Sequence, residues 1–154
     1  MLSLVEKVLA LKSASLFRQT PDDVLADVAS QVDELAFDKG EIIFRKGDHG
    51  DSLYVIVSGR VEVRDGERLL NELDEGAIFG ELALLDPSPR SATVKTLEPA
   101  HLLQLNDEHF RTVLAERPEV AAAVIHVLTS YIRSLLADGN GSNFSMKDAE
   151  TFEP

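Results

Sequence analysis

The segment FGELALLDPSPRSATV, residues 79–94, combines features that neither a buried strand nor an ordinary surface loop would combine. It begins with Phe79, Gly80 and Glu81, continues with an apolar run, and passes two prolines before Arg90. Glycine allows close approach of the backbone to a ligand, and the free N–H groups of a helical turn after it suit a phosphate. Arg90, expected at the start of a strand, can hold two phosphate oxygens with its planar guanidinium. Glu81 is an acceptor beside such a site and suits a ribose hydroxyl, so the segment predicts a sugar–phosphate ligand.

Composition limits the classes of protein to which the chain can belong. Its 154 residues, 44% of them hydrophobic, fit one domain with a real core. No apolar run approaches the ~18 residues that span a bilayer, and the N-terminus lacks the pattern of a signal peptide. Cysteine is absent, so we expect a cytoplasmic protein without disulfides and no membrane insertion. A net charge of −12 repels nucleic acid, so this chain is expected to bind none, and an anion site must overcome the global field locally.

The middle of the chain, from about residue 34 to 105, is rich in β-branched residues and is cut by glycines. This pattern predicts about eight short strands in a small sandwich or barrel. Ser58-Gly59 and Asp65-Gly66 are hairpin signals. The last two strands are expected to join at Glu98-Pro99.

Helices are predicted at both ends of this strand region. Ser3 and Glu6 have the spacing of a capping box, which predicts a helix near residues 3–12. A second helix is predicted from Thr20 as N-cap and Pro21 as its first residue.

After the strands, Asn106 is the predicted N-cap of a third helix, and Pro118 starts a longer fourth one. The predicted domain therefore covers residues 1–138, with helices at about 3–33, a β-roll at 34–105 and helices at 106–137. Residues 139–154 show no periodicity and are expected to form a disordered tail or linker.

Residues 79–94 look like the phosphate-binding cassette of cyclic nucleotide-binding domains, and they match F-G-E-[LIV]-A-L-x-x-x-x-P-R-x-A-T-V without a gap. The upstream FRKGDHGDSLYVIVSGRVEV, residues 44–63, resembles the first strands of the same family. The similarity covers roughly residues 14–137. It implies an α+β fold, an eight-stranded antiparallel β-barrel or jelly roll with flanking helices, as in bacterial cAMP receptors, protein kinase A regulatory subunits and cyclic nucleotide-gated channels.

The resemblance also implies roles for individual residues. Glu81 and the Gly80 backbone would bind the ribose 2′-hydroxyl, and Arg90 would neutralise the cyclic phosphate. The N–H groups of Ala83 and Ser91 would bond phosphate oxygens. Two valines would line the base pocket, and Tyr131 and Leu135 on the last helix are candidates for a lid. The predicted ligand-binding set is Phe79, Gly80, Glu81, Leu82, Ala83, Pro89, Arg90, Ser91, Ala92, Val61, Val63 and Tyr131.

Ser91 bears on the choice of nucleotide. In the family, threonine after the arginine tends to favour cGMP and alanine tends to go with cAMP, while serine occurs in bacterial cAMP receptors. We therefore expect cAMP as the ligand, with cGMP as the alternative, and no cofactor. The four histidines have no metal-ligand spacing, so no metal site is expected, and KGDHGD at residues 46–51 is interpreted as a turn because it lacks the ligand pattern of a calcium loop.

Other functions compete with this sensor interpretation. Glu81 alone could complement a helix dipole, worth ~0.3–1 kcal/mol, and Arg90 alone could form a surface ion pair worth ~0–1 kcal/mol. The fold could also serve as a protein-interaction module that binds no nucleotide. An enzyme is not expected, since no metal cluster or nucleophile motif is present. The chain is too short and too acidic for a helix-turn-helix transcription factor, unless it is a truncated regulator. The terminal helices are candidate surfaces for an effector, fused or separate, or for a homodimer.

Overall fold

The computed structural model describes residues 1–80 and 88–138, and within them all side chains except those of Ser15, Val127, Tyr131, Leu135 and Asp138. Helices lie at both ends: α1 is Leu4–Lys12, a 3-10 turn is Ser15–Phe17, α2 is Asp22–Ala29, α3 is Asp107–Glu116 and α4 is Pro118–Asp138. The strands between them are β1 Asp33–Phe37, β2 Ile42–Phe44, β3 His49–Gly50, β4 Ser52–Ser58, β5 Val61–Asp65, β6 Arg68–Leu73, β7 Ile78–Phe79, β8 Ser88–Pro89, β9 Thr93–Thr96 and β10 Ala100–Asn106.

Two four-stranded antiparallel sheets form the body of the molecule. The first has the order β1-β10-β4-β7 and the second the order β2-β9-β5-β6, while β3 and β8 form a separate two-stranded ribbon. Alternating burial along β5, with Val61 and Val63 inside and Glu62 between them partly exposed, shows which face meets the core. The α+β fold of an antiparallel jelly roll with flanking helices is confirmed.

The two predicted hairpins have different outcomes. Asp65-Gly66 is a hairpin, because Asp65 pairs with Arg68 and Gly66 has a positive φ of 62°. Ser58-Gly59 is not one, because β4 and β5 lie in different sheets. Gly59 instead turns the chain from one sheet to the other, and a Cβ there would lie 2.5 Å from the carbonyl oxygen of Pro99. Turn composition predicts a reversal of direction but does not say whether the two strands pair.

The predicted cap of the first helix is confirmed, and the predicted cap of the second helix is wrong. Ser3 and Glu6 form a reciprocal capping box at the start of α1. Thr20 is not the cap of α2, which begins at Asp22 with Pro21 at the N-cap position. Pro21 keeps an extended ψ of 147°, so the helix starts one residue later than predicted. The Thr20 side chain is buried and caps no backbone N–H of the described residues.

The last two helices begin where the sequence predicts. The Asn106 side chain accepts a hydrogen bond from the His109 N–H at 2.9 Å, which caps α3, and α4 begins at Pro118. Val120 and Val124 on α4 are buried in the core. Residues 139–154, the predicted tail, lie outside the described residues. In the part of the chain that the structure describes, no helix is both long enough and apolar enough to cross a membrane.

The N-terminal and C-terminal helices contact each other. The rings of Phe17 and Phe110 pack edge to face with centroids 6.4 Å apart. Arg117, between α3 and α4, pairs with Asp23 at 3.1 Å and with Asp27 at 3.4 Å on α2. A displacement of either group of helices therefore disturbs the other.

Helix α1 is attached to the first sheet through Glu34 on β1. The Leu2 N–H donates to one carboxylate oxygen at 2.8 Å, and His101 on β10 contacts the other at 3.1 Å. Lys7 lies 3.8 Å from the same side chain. Partial burial acts to raise the pKa of Glu34, but the Leu2 N–H, His101 and Lys7 together outweigh it and hold this pKa below its ordinary value.

Candidate functional site

The backbone of Arg90 is held by the turn at residues 47–50. The Arg90 N–H donates to the Asp48 carbonyl at 2.7 Å, and the Gly47 N–H donates to the Arg90 carbonyl at 2.8 Å. The adjoining ribbon pairs His49 with Pro89 and Gly50 with Ser88. Arg90 thus lies between β8 and β9. The prediction that it stands at the start of a strand is wrong. Its rigidity comes from these cross-chain hydrogen bonds.

The guanidinium of Arg90 is held as firmly as its backbone. The residue is 7% exposed. Its Nη2 donates to the Ser52 carbonyl at 2.9 Å, and its Nη1 donates to the Gly80 carbonyl at 3.2 Å. The guanidinium carbon lies 4.1 Å from the centroid of the Phe44 ring and 5.8 Å from that of Tyr54. Cation–π attraction strengthens when the pair is shielded from water, so the stacked ring stabilises a fixed orientation.

The Phe44 ring beneath the arginine belongs to a cluster of three aromatic side chains. Tyr54 and Phe79 stack with centroids 5.1 Å apart, and Phe44 lies 5.9 Å from each of them. Phe79 pairs with Tyr54 across the first sheet, whereas Phe44 belongs to the second. The cluster therefore joins the two sheets beneath Arg90.

Two glycines make room for the guanidinium. A Cβ at Gly50 would lie 2.6 Å from Arg90 Nε, and one at Gly80 would lie 2.7 Å from Nη1. Gly80 also has a φ of 80°, a left-handed conformation that favours glycine. Gly80 thus lies close to the arginine, and the close approach to a ligand that the sequence predicts there stays a prediction.

The predicted site residues separate into those that meet at Arg90 and those that lie farther along the sheet. Phe79 and Gly80 adjoin the guanidinium, Pro89 and Ser91 flank it in sequence and are exposed, and Ala92 is buried. Val61 and Val63 are buried on β5. Val63 pairs with Val94, which pairs with Phe44, so the predicted base-pocket position lies two strands from the ring beneath Arg90.

Several predictions fall on residues that the structure leaves undescribed. Glu81, Leu82 and Ala83 lie outside the described residues, and so do the ribose contact and the helical turn predicted there. Tyr131 and Leu135 belong to α4, but their side chains are not described. The roles assigned to these five residues stay predictions.

Sequence reasoning missed Phe44, Gly50 and Ser52 as parts of the site. It treated residues 46–51 only as a turn, and the segment does turn, at Gly47 with a φ of 93°. The hydrogen bonds of this segment and of Ser52 with Arg90 join residues about 40 positions apart in sequence, so no local pattern reveals them. The one available signal was Gly50, a second glycine placed next to the strand that carries Tyr54.

The structure thus places a buried guanidinium, which stays charged at all ordinary pH values, in a jelly roll built from an acidic chain. The model of the family described as "Cyclic nucleotide-binding domain" matches residues 34–117. The chain belongs to this family, as its resemblance implied.

Individual relatives give the same result. The chain is 30% identical over 128 residues to the CRP-like cAMP-activated global transcriptional regulator of Mycobacterium tuberculosis, covering 80% of this chain and 57% of the relative. This chain thus spans little more than half of that protein's length.

Two solved structures share the fold. One is the N-terminal domain of a transcriptional regulator from Streptomyces coelicolor, with 30% identity and a TM-score of 0.76 over 84% of this chain and 94% of that one. The other is the regulatory domain of Toxoplasma gondii PKA with cAMP, with 26% identity and a TM-score of 0.71 over 86% of this chain and 50% of that one.

Proposed function

We propose that this domain is a cAMP-binding regulatory module without catalytic activity of its own. The observation that carries the proposal is the fixed guanidinium of Arg90, which two backbone carbonyls, the Phe44 ring and two glycines hold in place. A cyclic phosphate carries the opposite charge and two exocyclic oxygens, which match the planar fork of an arginine. Fixing the arginine before the ligand arrives reduces the entropy cost of binding.

The proposed pose places the phosphate on Arg90 and the base along the second sheet. Glu81 and the Gly80 backbone bind the ribose 2′-hydroxyl, and the N–H groups of Ala83 and Ser91 bond the phosphate. Val61 and Val63 line the base pocket from β5, where both are buried and apolar. Tyr131, with Leu135 as a second candidate, closes over the base as α4 moves.

The preference for cAMP over cGMP rests on Ser91 and on the relatives. Ser91 follows Arg90, at the position where the family carries threonine in cGMP-preferring members. The name of the Mycobacterium tuberculosis relative and the ligand of the Toxoplasma gondii structure both specify cAMP. No further molecule is required as a cofactor in this proposal.

The proposed mechanism is a shift in population between two arrangements of the terminal helices. A ligand moves such an equilibrium only through its different affinities for the two states. Phosphate capture at residues 80–91 would change the packing next to the helices, and the contacts of Arg117 with Asp23 and Asp27 would carry the change from α3 and α4 to α2. Identical backbone NMR spectra of α2, α3 and α4 with and without cAMP would contradict this mechanism.

The proposed outputs act through the terminal helices. Ile125, Ile132 and Leu136 of α4 are exposed, at separations of seven and four residues that place them near one helical stripe. Such a stripe suits a second copy of the chain or an effector, fused or separate.

Isothermal titration calorimetry with cAMP, cGMP and 5′-AMP tests the proposed ligand. We expect cAMP to bind more tightly than cGMP and 5′-AMP to give no heat, because its open, doubly charged phosphate does not fit a site shaped for a cyclic monoanion. Absence of binding by both cyclic nucleotides would overturn the proposed function. Tighter binding of cGMP would overturn the base preference alone.

A further inference from the structure

Asn71 on β6 places an amide beside buried apolar side chains on the inner face of the second sheet. The register pairs Asn71 with Val63 and Leu73 with Val61. Residues directly opposite each other in an antiparallel pair project to the same face, and the other three side chains of this group are buried. The amide therefore lies among the residues of the proposed base pocket.

Among the described residues, only one end of the Asn71 amide has a hydrogen-bond partner. The Glu72 N–H donates to Asn71 Oδ1 at 2.8 Å, which fixes which end is the oxygen. The Nδ2 at the other end is buried and has no hydrogen-bond partner in the part of the chain that the structure describes. A buried donor without an acceptor destabilises the folded protein, and a purely structural core would favour an apolar side chain here.

A continuous row of side chains connects this amide to the arginine. Phe44, Val94, Val63 and Asn71 occupy paired positions on four adjacent strands. Three spacings between strands make the row about 14 Å long, which is comparable to the length of a nucleoside monophosphate. Arg90 lies over the ring at one end, and the amide donor lies at the other.

We propose that Asn71 reads the base, by donating an Nδ2 hydrogen bond to a ring nitrogen of the purine. Adenine offers N7 on one edge and N1 on the other as acceptors of the required type. The inference rests on the proposed function, since it assigns one end of the same site. It makes Asn71 a base-contacting residue that neither its sequence neighbourhood nor the cassette indicated.

The test compares the wild type with Asn71→Leu. Leucine has a similar size and matches the apolar neighbours. It removes both the buried donor and the acceptor of the Glu72 N–H, so the two changes offset each other and the unliganded variant keeps its thermal stability. Its affinity for cAMP falls about 10-fold, as expected for one lost hydrogen bond to a ligand. If Asn71 had a purely structural role, its replacement by leucine would lower the thermal stability and the affinity for cAMP together. Glu72→Gln, one residue along the same strand and exposed, is the control and leaves affinity unchanged.

Two analogues identify the acceptor. The wild type binds either 7-deaza-cAMP or 1-deaza-cAMP about 10-fold more weakly than cAMP, and Asn71→Leu binds that analogue and cAMP equally. Wild-type affinity for both analogues, or for cAMP in Asn71→Leu, overturns the inference while the proposed function stands. Failure of the wild type to bind cAMP overturns both.

Discussion

Arg90 is a buried cation in a chain whose net charge is −12. Burying a charge costs desolvation energy, which must be recovered from nearby dipoles, rings or counter-charges. The carbonyls of Ser52 and Gly80 and the Phe44 ring recover part of it. Arg90 is therefore a buried charge and not an exposed surface side chain.

Gly50→Ala is expected to weaken cAMP binding through the arginine. The new Cβ would lie 2.6 Å from Arg90 Nε, and overpacking of this kind costs ~1–3 kcal/mol. Gly40→Ala is the matched control, because Gly40 has a φ of 83° but a Cβ added there would meet nothing within 4 Å; it should lose stability and keep its affinity. Calorimetry and thermal unfolding of both variants measure the two effects, and equal affinities for cAMP would show that the guanidinium tolerates displacement.

Glu81→Ala is expected to lower affinity for cAMP much more than affinity for 2′-deoxy-cAMP. The reason is that the proposed partner of Glu81, the 2′-hydroxyl, is missing from the deoxy ligand. Titration of both ligands into wild type and variant completes a double-mutant cycle. Equal losses for the two ligands would refute the ribose role.

Residue roles were the least accessible to sequence reasoning. The cassette indicated Arg90 and Gly80 because both stand in one contiguous motif. Phe44, Gly50 and Ser52 come together with Arg90 only when β2, β3 and β4 are assembled, so their contribution depends on long-range pairing. The buried amide of Asn71 likewise becomes visible only through the register of β5 and β6.

At the scale of elements, α1 depends on one carboxylate of the first sheet. The pKa of Glu34 is lowered because hydrogen bonds from the Leu2 N–H and His101, with Lys7 nearby, outweigh the effect of burial. A lowered pKa in the folded protein means that ionised Glu34 stabilises the fold. This contribution is fully present above the ordinary glutamate pKa of about 4.3 and is lost as the pH falls through the lowered value.

Glu34→Gln is therefore expected to lower the melting temperature at pH 7 and to speed hydrogen exchange in α1, with the other helices unchanged. The difference in melting temperature between wild type and variant should shrink as the pH falls below about 4.3. Glu72→Gln, at an exposed position of β6, serves as the control for loss of a negative charge. A difference that stays constant with pH would show that the carboxylate charge does not hold α1.

Helix ends and strand regions were largely predictable because their signals are local. The capping box of α1, the Asn106 cap and the Pro118 start depend on residues within one turn. The errors at Thr20 and Ser58-Gly59 have local causes as well: proline can precede a helix in an extended conformation, and a glycine turn serves a sheet crossing as well as a hairpin.

At the scale of the whole molecule, the two sheets and the terminal helices form a connected structure around the site. The aromatic cluster joins the sheets beneath Arg90, and Arg117 joins α2 to the junction of α3 and α4. Fold class followed from strand spacing and the resemblance together. The order of the strands within each sheet could not be predicted. The alternation of apolar and polar residues determines which face of a strand is buried, but it does not determine which strands are its neighbours.

The proposed outputs differ in how they change the assembly of the whole chain. If α4 forms a homodimer, light scattering should report twice the chain mass, and Ile132→Glu should return it to the monomer because a charge is placed in an apolar interface. A wild-type monomer at every concentration tested would leave the effector as the proposed occupant of the stripe and contradict the homodimer.

The most direct measurement is the affinity for cAMP of Arg90→Ala and Arg90→Lys beside the wild type, with circular dichroism to establish that each variant folds. Loss of a charge-assisted bidentate contact costs ~2–4 kcal/mol, so the alanine variant should bind roughly 30- to 1000-fold more weakly. The lysine variant should lie between the two, because it keeps the charge but not the planar fork. A folded alanine variant that binds cAMP like the wild type would show that the phosphate is held elsewhere.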